Sequence, residues 1–352
     1  MKIKTTQILF LFVASLCALQ ATAQDAHFSQ FYNTPIRQNP AMTGLFNGTY
    51  RVGANYRDQW SSVIGSGNAY KTYHIGADMN TFVMKNDYAG LGIYVLGDQA
   101  GNGKFGSTSA VLSGSYVKQL SGRKRGWKQA EHYLSGGLQV GAGQVKVDYD
   151  NLKFSTQFNG DGYDGRLGTG ENLGATSKIF IDVNAGLLYY ALLGNNVSVY
   201  AGGSVNHVNQ PNISLFDRSE PLFMRYNVNI GGEIPLSKEL SLLPGATFSK
   251  QGPSQMILAG TNIRYSNKDW REVVLKAGVW DRLPAAKNSL ISQDALILFA
   301  GIDFERYSLG LSYDLNMSSL QTASNTRGGY ELSLIYIHPQ RKRLSVNCPR
   351  FR

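Results

Sequence analysis

The chain has 352 residues, a formal net charge of +10 and 16% charged side chains, against roughly 25% in a typical soluble domain. With 39 glycines and 20 tyrosines, this composition argues against an ordinary soluble enzyme and suits a barrel. Such a barrel has an apolar outer face, crowded strands that favour glycine, and rims that favour aromatics. The basic residues are scattered along the chain, so the charge is not a nucleic-acid footprint.

Lys2 and Lys4, the apolar run from Ile8 to Leu19 and Ala21-Thr22-Ala23 have the pattern of a secretory signal peptide, 1–23, with cleavage expected after Ala23. The run is too short to cross a bilayer as a helix, and Leu16 stands where a lipidation site at Cys17 needs a small residue. Segment 24–48 follows. Its Pro35 and Pro40 interrupt regular structure, and its aromatics Phe28, Phe31 and Tyr32 are ill suited to a solvated tail. Together with Gln30 and Asn39 they mark a candidate plug folded into the barrel; the alternative is a periplasmic tail lying beneath it.

From residue 49 to 338 apolar and polar side chains alternate with period two, the signature of a strand. In the first such segment Tyr50, Val52, Ala54 and Tyr56 alternate with Arg51, Gly53, Asn55 and Arg57. The pattern predicts about fourteen antiparallel strands in one transmembrane β-barrel. Their expected ranges are 49–60, 70–80, 88–97, 107–118, 132–143, 181–192 and 196–206, then 224–234, 240–249, 256–266, 272–281, 294–304, 307–315 and 328–338. The weakest is 240–249, which carries Pro244. Long connections (144–180, 207–223, 282–293, 316–327) alternate with short ones (193–195, 235–239, 305–306), as external loops alternate with periplasmic turns; 119–131 breaks the rule. A soluble β-sandwich would also alternate, but it does not need so many strands in one block.

Charged residues on the polar parity belong in the lumen, where they avoid lipid. These are Arg51, Arg57, His74, Asp78, Asp182, Arg225, Glu233, Lys276 and Glu331. Charges of both signs pair with each other or hold a plug; a selective conduction path is the alternative. The two longest loops offer a partner surface at Phe158, Tyr163, Leu215, Phe216 and Phe223. Asn159 to Gly165 is rich in Asx and Gly, but no Glu closes it at the spacing of a calcium loop, and such residues are ordinary turn formers. Arg123, Lys124 and Arg125, and Arg341, Lys342 and Arg343 in the basic tail 339–352, fall on the periplasmic side, where they face anionic lipid, an acidic partner or only solvent. Cys348 is a free thiol or an intermolecular partner. The five histidines show no metal-ligand spacing, and no nucleophile elbow is present, so no catalysis, metal or cofactor is expected.

The block Gln24-Asp25-Ala26-His27-Phe28-Ser29-Gln30-Phe31-Tyr32, the run Asn39-Pro40-Ala41-Met42-Thr43-Gly44, Arg51, and Tyr56 to Trp60 resemble the PorP/SprF family of Bacteroidetes outer-membrane proteins. So do Gln157 to Gly160, Thr169 to Glu171, His207 to Asn212 and the Cys348-Pro349-Arg350-Phe351 ending, which here carries one extra residue, Arg352. The resemblance covers essentially the whole chain after residue 23. It implies a part in type IX secretion and, in some members, gliding motility. It also implies a non-enzymatic role in export or surface attachment of a large, adhesin-like secreted protein, in contact with the periplasmic secretion machinery. The alternative function is a passive porin or nutrient channel.

Overall fold

The structure, a computed structural model, describes residues 25–84, 87–121, 130–170, 174, 176–216, 218–267, 273–284 and 293–339. The expected signal peptide, both basic triplets and Cys348 lie outside the described residues. The fourteen strands are β1 (Tyr50–Gln59), β2 (Tyr70–Phe82), β3 (Tyr88–Ala100), β4 (Phe105–Gln119), β5 (Glu131–Lys146), β6 (Phe180–Leu192) and β7 (Ser198–Asn206), then β8 (Arg225–Pro235), β9 (Leu240–Gln251), β10 (Ser254–Tyr265), β11 (Val273–Pro284), β12 (Ala295–Phe304), β13 (Tyr307–Asn316) and β14 (Arg327–His338). Each pairs antiparallel with its chain neighbours, and β14 closes the ring on β1, from Tyr50 opposite His338 to Gln59 opposite Gly329. Closure leaves no sheet edge with unpaired backbone groups, the condition for a sheet to live in lipid.

The alternation sorts chemistry by face. On β2, Tyr73, Ile75 and Met79 are exposed while His74 and Asp78 are buried; Ile75 keeps 63% of its surface. Leu187 on β6 is likewise 62% exposed. A continuous apolar outer wall would aggregate in water, but in a bilayer it meets acyl chains. Aromatic rings mark the rims. Tyr50 stacks on His338 at 4.8 Å and Tyr307 meets Tyr336 at 5.2 Å near one mouth, while Tyr56 meets Tyr330 at 6.2 Å toward the other. Apolar outside, charged inside and girdled by aromatics, the fold is an outer-membrane barrel.

β9 forms despite Pro244. The β8–β9 ladder pairs Gly231 with Gly245 and resumes at Ile234 with Leu242, missing the rung at Leu243 and the neighbouring one at Pro244. Proline has no N–H for that rung, and the other edge of β9 continues through Pro244 opposite Thr261.

The strand ends joined by 60–69, 147–179, 207–224, 285–294 and 317–326 lie at one mouth, and those joined by 83–87, 193–197, 236–239 and 305–306 at the other. The connections 101–104 and 252–253 are short although they belong to the long-connection mouth. The strand ends joined by 120–130, Gln119 of β4 and Glu131 of β5, lie on the short-connection side.

Candidate functional site: the lumen and the segment threaded through it

Residues 25–48 lie inside the ring of strands. Gln30 and Asn39 have no accessible surface, Phe28 and Phe31 are buried, and so is Pro40; Tyr32 is half-buried. The chain enters at the long-connection mouth, where Asp25 meets His207 and Gln251. It leaves at the opposite mouth, where the Thr49 N–H donates to the His338 carbonyl at 2.8 Å.

At the entry His207 is clamped between two carboxylates, with Nδ1 2.8 Å from Asp182 and Nε2 2.8 Å from Asp25. Arg225 donates to Asp25 at 3.2 Å, and the Asp25 N–H donates to Gln251 Oε1 at 2.9 Å. His207 itself has a φ of +57°, a left-handed backbone that costs a non-glycine residue about 1 kcal/mol and is held by its surroundings.

One level down, Glu331 is fully buried and accepts the N–H groups of Ser29 at 2.7 Å and Gln30 at 3.1 Å. Arg57 bridges Asp314 at 2.7 Å and Glu331 at 3.6 Å. Arg282 ties Asp314 at 2.8 Å to Asp294 at 2.5 Å. The Ser29 hydroxyl sits on this cluster, against Asp314 at 2.8 Å and against Arg57. Beneath it Phe31 meets the Trp280 ring edge-on at 5.2 Å, and Tyr32 stacks on the same ring at 5.2 Å.

A turn of helix, Pro35–Gln38, crosses the middle of the lumen. Gln139 Nε2 donates to the Ile36 carbonyl at 2.7 Å, and Ser204 donates to the Gln38 carbonyl at 2.9 Å. Asn39 caps the next turn by accepting the Ala41 N–H at 2.9 Å. Its amide donates to wall carbonyls of Leu187 at 3.1 Å and Gly203 at 3.2 Å. The segment then touches the wall backbone to backbone. A Cβ at Gly137 would overlap Pro40 and Ala41, and one at Gly90 would overlap the Thr43 carbonyl; glycine is required there for close approach. Near the exit the Gly44 N–H donates to Asp78 at 2.8 Å, and Asp78 holds Arg51 through two hydrogen bonds, of 2.9 and 2.7 Å. Arg51 in turn lies over the Phe46 ring at 4.7 Å.

The expected lumen residues Arg51, Arg57, His74, Asp78, Asp182, Arg225, Lys276 and Glu331 are all buried. Glu233 is half-buried and pairs with Arg264 at 3.3 Å. Lys276 pairs with Asp303 at 2.7 Å. His74 lies between the Phe28 and Tyr94 rings, at 6.2 and 5.4 Å. The reading of the sequence missed Asp25, Arg37, His207, Arg282, Asp303 and Asp314. On the long connections Phe158, Tyr163, Phe216 and Phe223 are exposed and Leu215 is half-buried. Lys153 lies over the Tyr163 ring at 5.0 Å. Asn159 acts as a turn former, its Oδ1 accepting the N–H groups of Asp161 and Gly162 at 3.0 and 2.9 Å.

The entry clamp responds to pH. Burial alone would push the His207 pKa down, but the Asp25 and Asp182 carboxylates outweigh it and raise it to about 9. Burial would raise the Asp25 pKa; the positive His207 and Arg225 hold it well below the usual carboxylate range instead. The folded His207 binds its proton more tightly than a free histidine at about 6.5. Its contribution is therefore complete below about pH 6.5 and is lost as pH rises through 9. The Asp25 contribution is present above about pH 4 and lost as pH falls. A thiol placed at Ala26 is expected to label slowly at pH 6.5 and faster by pH 9.5, and His207→Gln is expected to abolish that change. Equal labelling at both pH values, corrected for thiolate content, would contradict the clamp.

A sequence model of "Type IX secretion system membrane protein PorP/SprF" matches residues 20–336. No curated relative matches the chain. Among solved structures it is similar to the Pseudomonas putida toluene transporter TodX, with a TM-score of 0.47, 11% identity, and 90% of this chain and 98% of that one covered. It is also similar to a Pseudomonas aeruginosa FadL homologue, with a TM-score of 0.46, 10% identity, and 86% and 94% covered. Across nearly its whole length the chain carries the family's sequence, and it therefore belongs to the PorP/SprF family of type IX secretion membrane proteins.

Proposed function

We propose that this barrel works by binding rather than by conduction. In this reading its long connections hold a large, adhesin-like secreted protein at the cell surface and assist its export or attachment, while the opposite mouth meets the periplasmic secretion machinery. The observation that carries the reading is the lumen, crossed from mouth to mouth by a segment anchored at every level, from Asp25 on His207 to Gly44 on Asp78. A transport pathway for a free solute would run where that segment lies. Exposed Phe158, Tyr163, Phe216 and Phe223 on two long connections supply the kind of aromatic anchors that dominate protein–protein contact.

The test is to replace Phe158, Phe216 and Phe223 together by Asp. The barrel is expected to reach the outer membrane at its normal level, because none of the three contributes to the wall. At least one secreted protein is expected to fall about tenfold at the surface, the consequence of losing ~1.4 kcal/mol or more of binding. Surface proteolysis with mass spectrometry reads this. An unchanged surface proteome would overturn the assignment of these loops.

A further inference from the structure

Beside the threaded segment, on the side of β3 to β8 and beneath the 207–224 connection, the lumen keeps a cavity of about 130 Å3. Six charged side chains line it: Asp25, Arg37, Asp98, Asp182, His207 and Arg225. Four of them neutralise one another, Asp25 and Asp182 with His207, and Asp25 with Arg225. The other two do not. Arg37 is only 4% exposed. Its Nη2 donates to the Ala26 carbonyl and its guanidinium lies over Phe28 at 5.5 Å, but its Nη1 has no hydrogen-bond partner. Asp98 accepts the Thr72 hydroxyl at 2.6 Å. Among the described residues neither Arg37 nor Asp98 has an ion-pair partner. One cation and one anion thus face the same space without reaching each other. Tyr94, Leu96, Val111, Ile213 and Leu222 supply apolar wall to the same space.

A charge without an ion-pair partner is costly when buried, as at Arg37, and less so when half-buried, as at Asp98; a ligand that supplies the partner recovers that cost. With His207 protonated the six charges cancel, so a singly charged ligand gains at one group and is repelled at the other. A ligand with opposite charges at its two ends gains at both. A cavity of ~150 Å3 is known to hold benzene, with six heavy atoms, the same number as alanine. We propose that this cavity binds a small zwitterion of the α-amino acid class, its carboxylate on Arg37 Nη1, its ammonium toward Asp98 and its alkyl group against Val111 and Leu222.

Saturation-transfer NMR on the folded barrel in detergent, with alanine as probe and propionate and ethylamine as its singly charged relatives, tests this. Alanine is expected to bind at least about tenfold more tightly than either relative, the worth of one partly buried charge contact. Asp98→Asn is expected to weaken alanine at least about tenfold while strengthening propionate, because a repulsive carboxylate is gone. Arg37→Met is expected to abolish both. Migration of the unheated protein on a denaturing gel checks folding, and Asp98→Asn alone decides the matter if Arg37→Met does not fold. No alanine signal at millimolar concentration, propionate binding as well as alanine, or unchanged alanine binding by folded Asp98→Asn would each overturn the proposal.

Discussion

Reconstituted in a planar bilayer, the barrel is expected to carry no steady ion current until its N-terminal segment is dislodged. The segment is held at several independent levels, so thermal escape would have to break the Asp25, Glu331, Asn39 and Gly44 contacts together. The sharpest way to dislodge it leaves those contacts in sequence but removes the room for them. Gly137→Leu and Gly90→Leu place a side chain where Pro40 and Thr43 run against the wall. Both glycines lie in regular strand with partners on either side, Gly137 opposite Ser115 and Gly186, Gly90 opposite Asn80 and Ser115. The wall can therefore persist while the segment cannot. The double variant is expected to conduct at least about tenfold more current than the wild type, because a ring of fourteen strands freed of its filling encloses a water-wide lumen. Steady, ohmic conduction by the wild-type barrel would favour the porin alternative.

The largest loss of stability is expected from Glu331→Ala. Glu331 has no accessible surface, receives two backbone N–H groups of the segment and shares Arg57 with Asp314. Removing one member of a buried ionic network costs about 3–5 kcal/mol, and here the Ser29 and Gln30 donors are orphaned as well. Glu331→Gln keeps an acceptor for one of them and is expected to cost about 1–3 kcal/mol. Urea unfolding followed by gel mobility reads both, and the ordering Ala worse than Gln separates lost hydrogen bonding from lost charge. Near wild-type stability of Glu331→Ala would show that the segment is not an integral part of the fold.

The period-two pattern carried all fourteen strands because a barrel wall separates lipid from lumen at every residue. Even β9 is legible, as only two pairs are missing from one of its ladders, at Pro244 and Leu243, and the register is kept. The inward charges from Arg51 to Glu331 follow from the same parity. Asp303 and Asp314 obey it too and would have been found by carrying it through β12 and β13; Arg282 lies just past the expected end of its strand, which runs to Pro284. What the pattern does not hold is long-range pairing. Ser29 meets Glu331 from the far end of the chain, and His207 reads as a solitary histidine until folding sets it between Asp25 and Asp182. The direction of threading was equally hidden. The aromatics and prolines of 25–48 suggest burial, but only wall contacts reveal that Asp25 stands at the long-connection mouth.

The most direct test of the account is photo-cross-linking from Phe158 and Phe216 in the native outer membrane, followed by mass spectrometry of the adducts. A large secreted surface protein is expected on these positions, and periplasmic secretion components when the probe is moved to the 236–239 turn. Adducts to neither, from a barrel that conducts ions by itself, would contradict it.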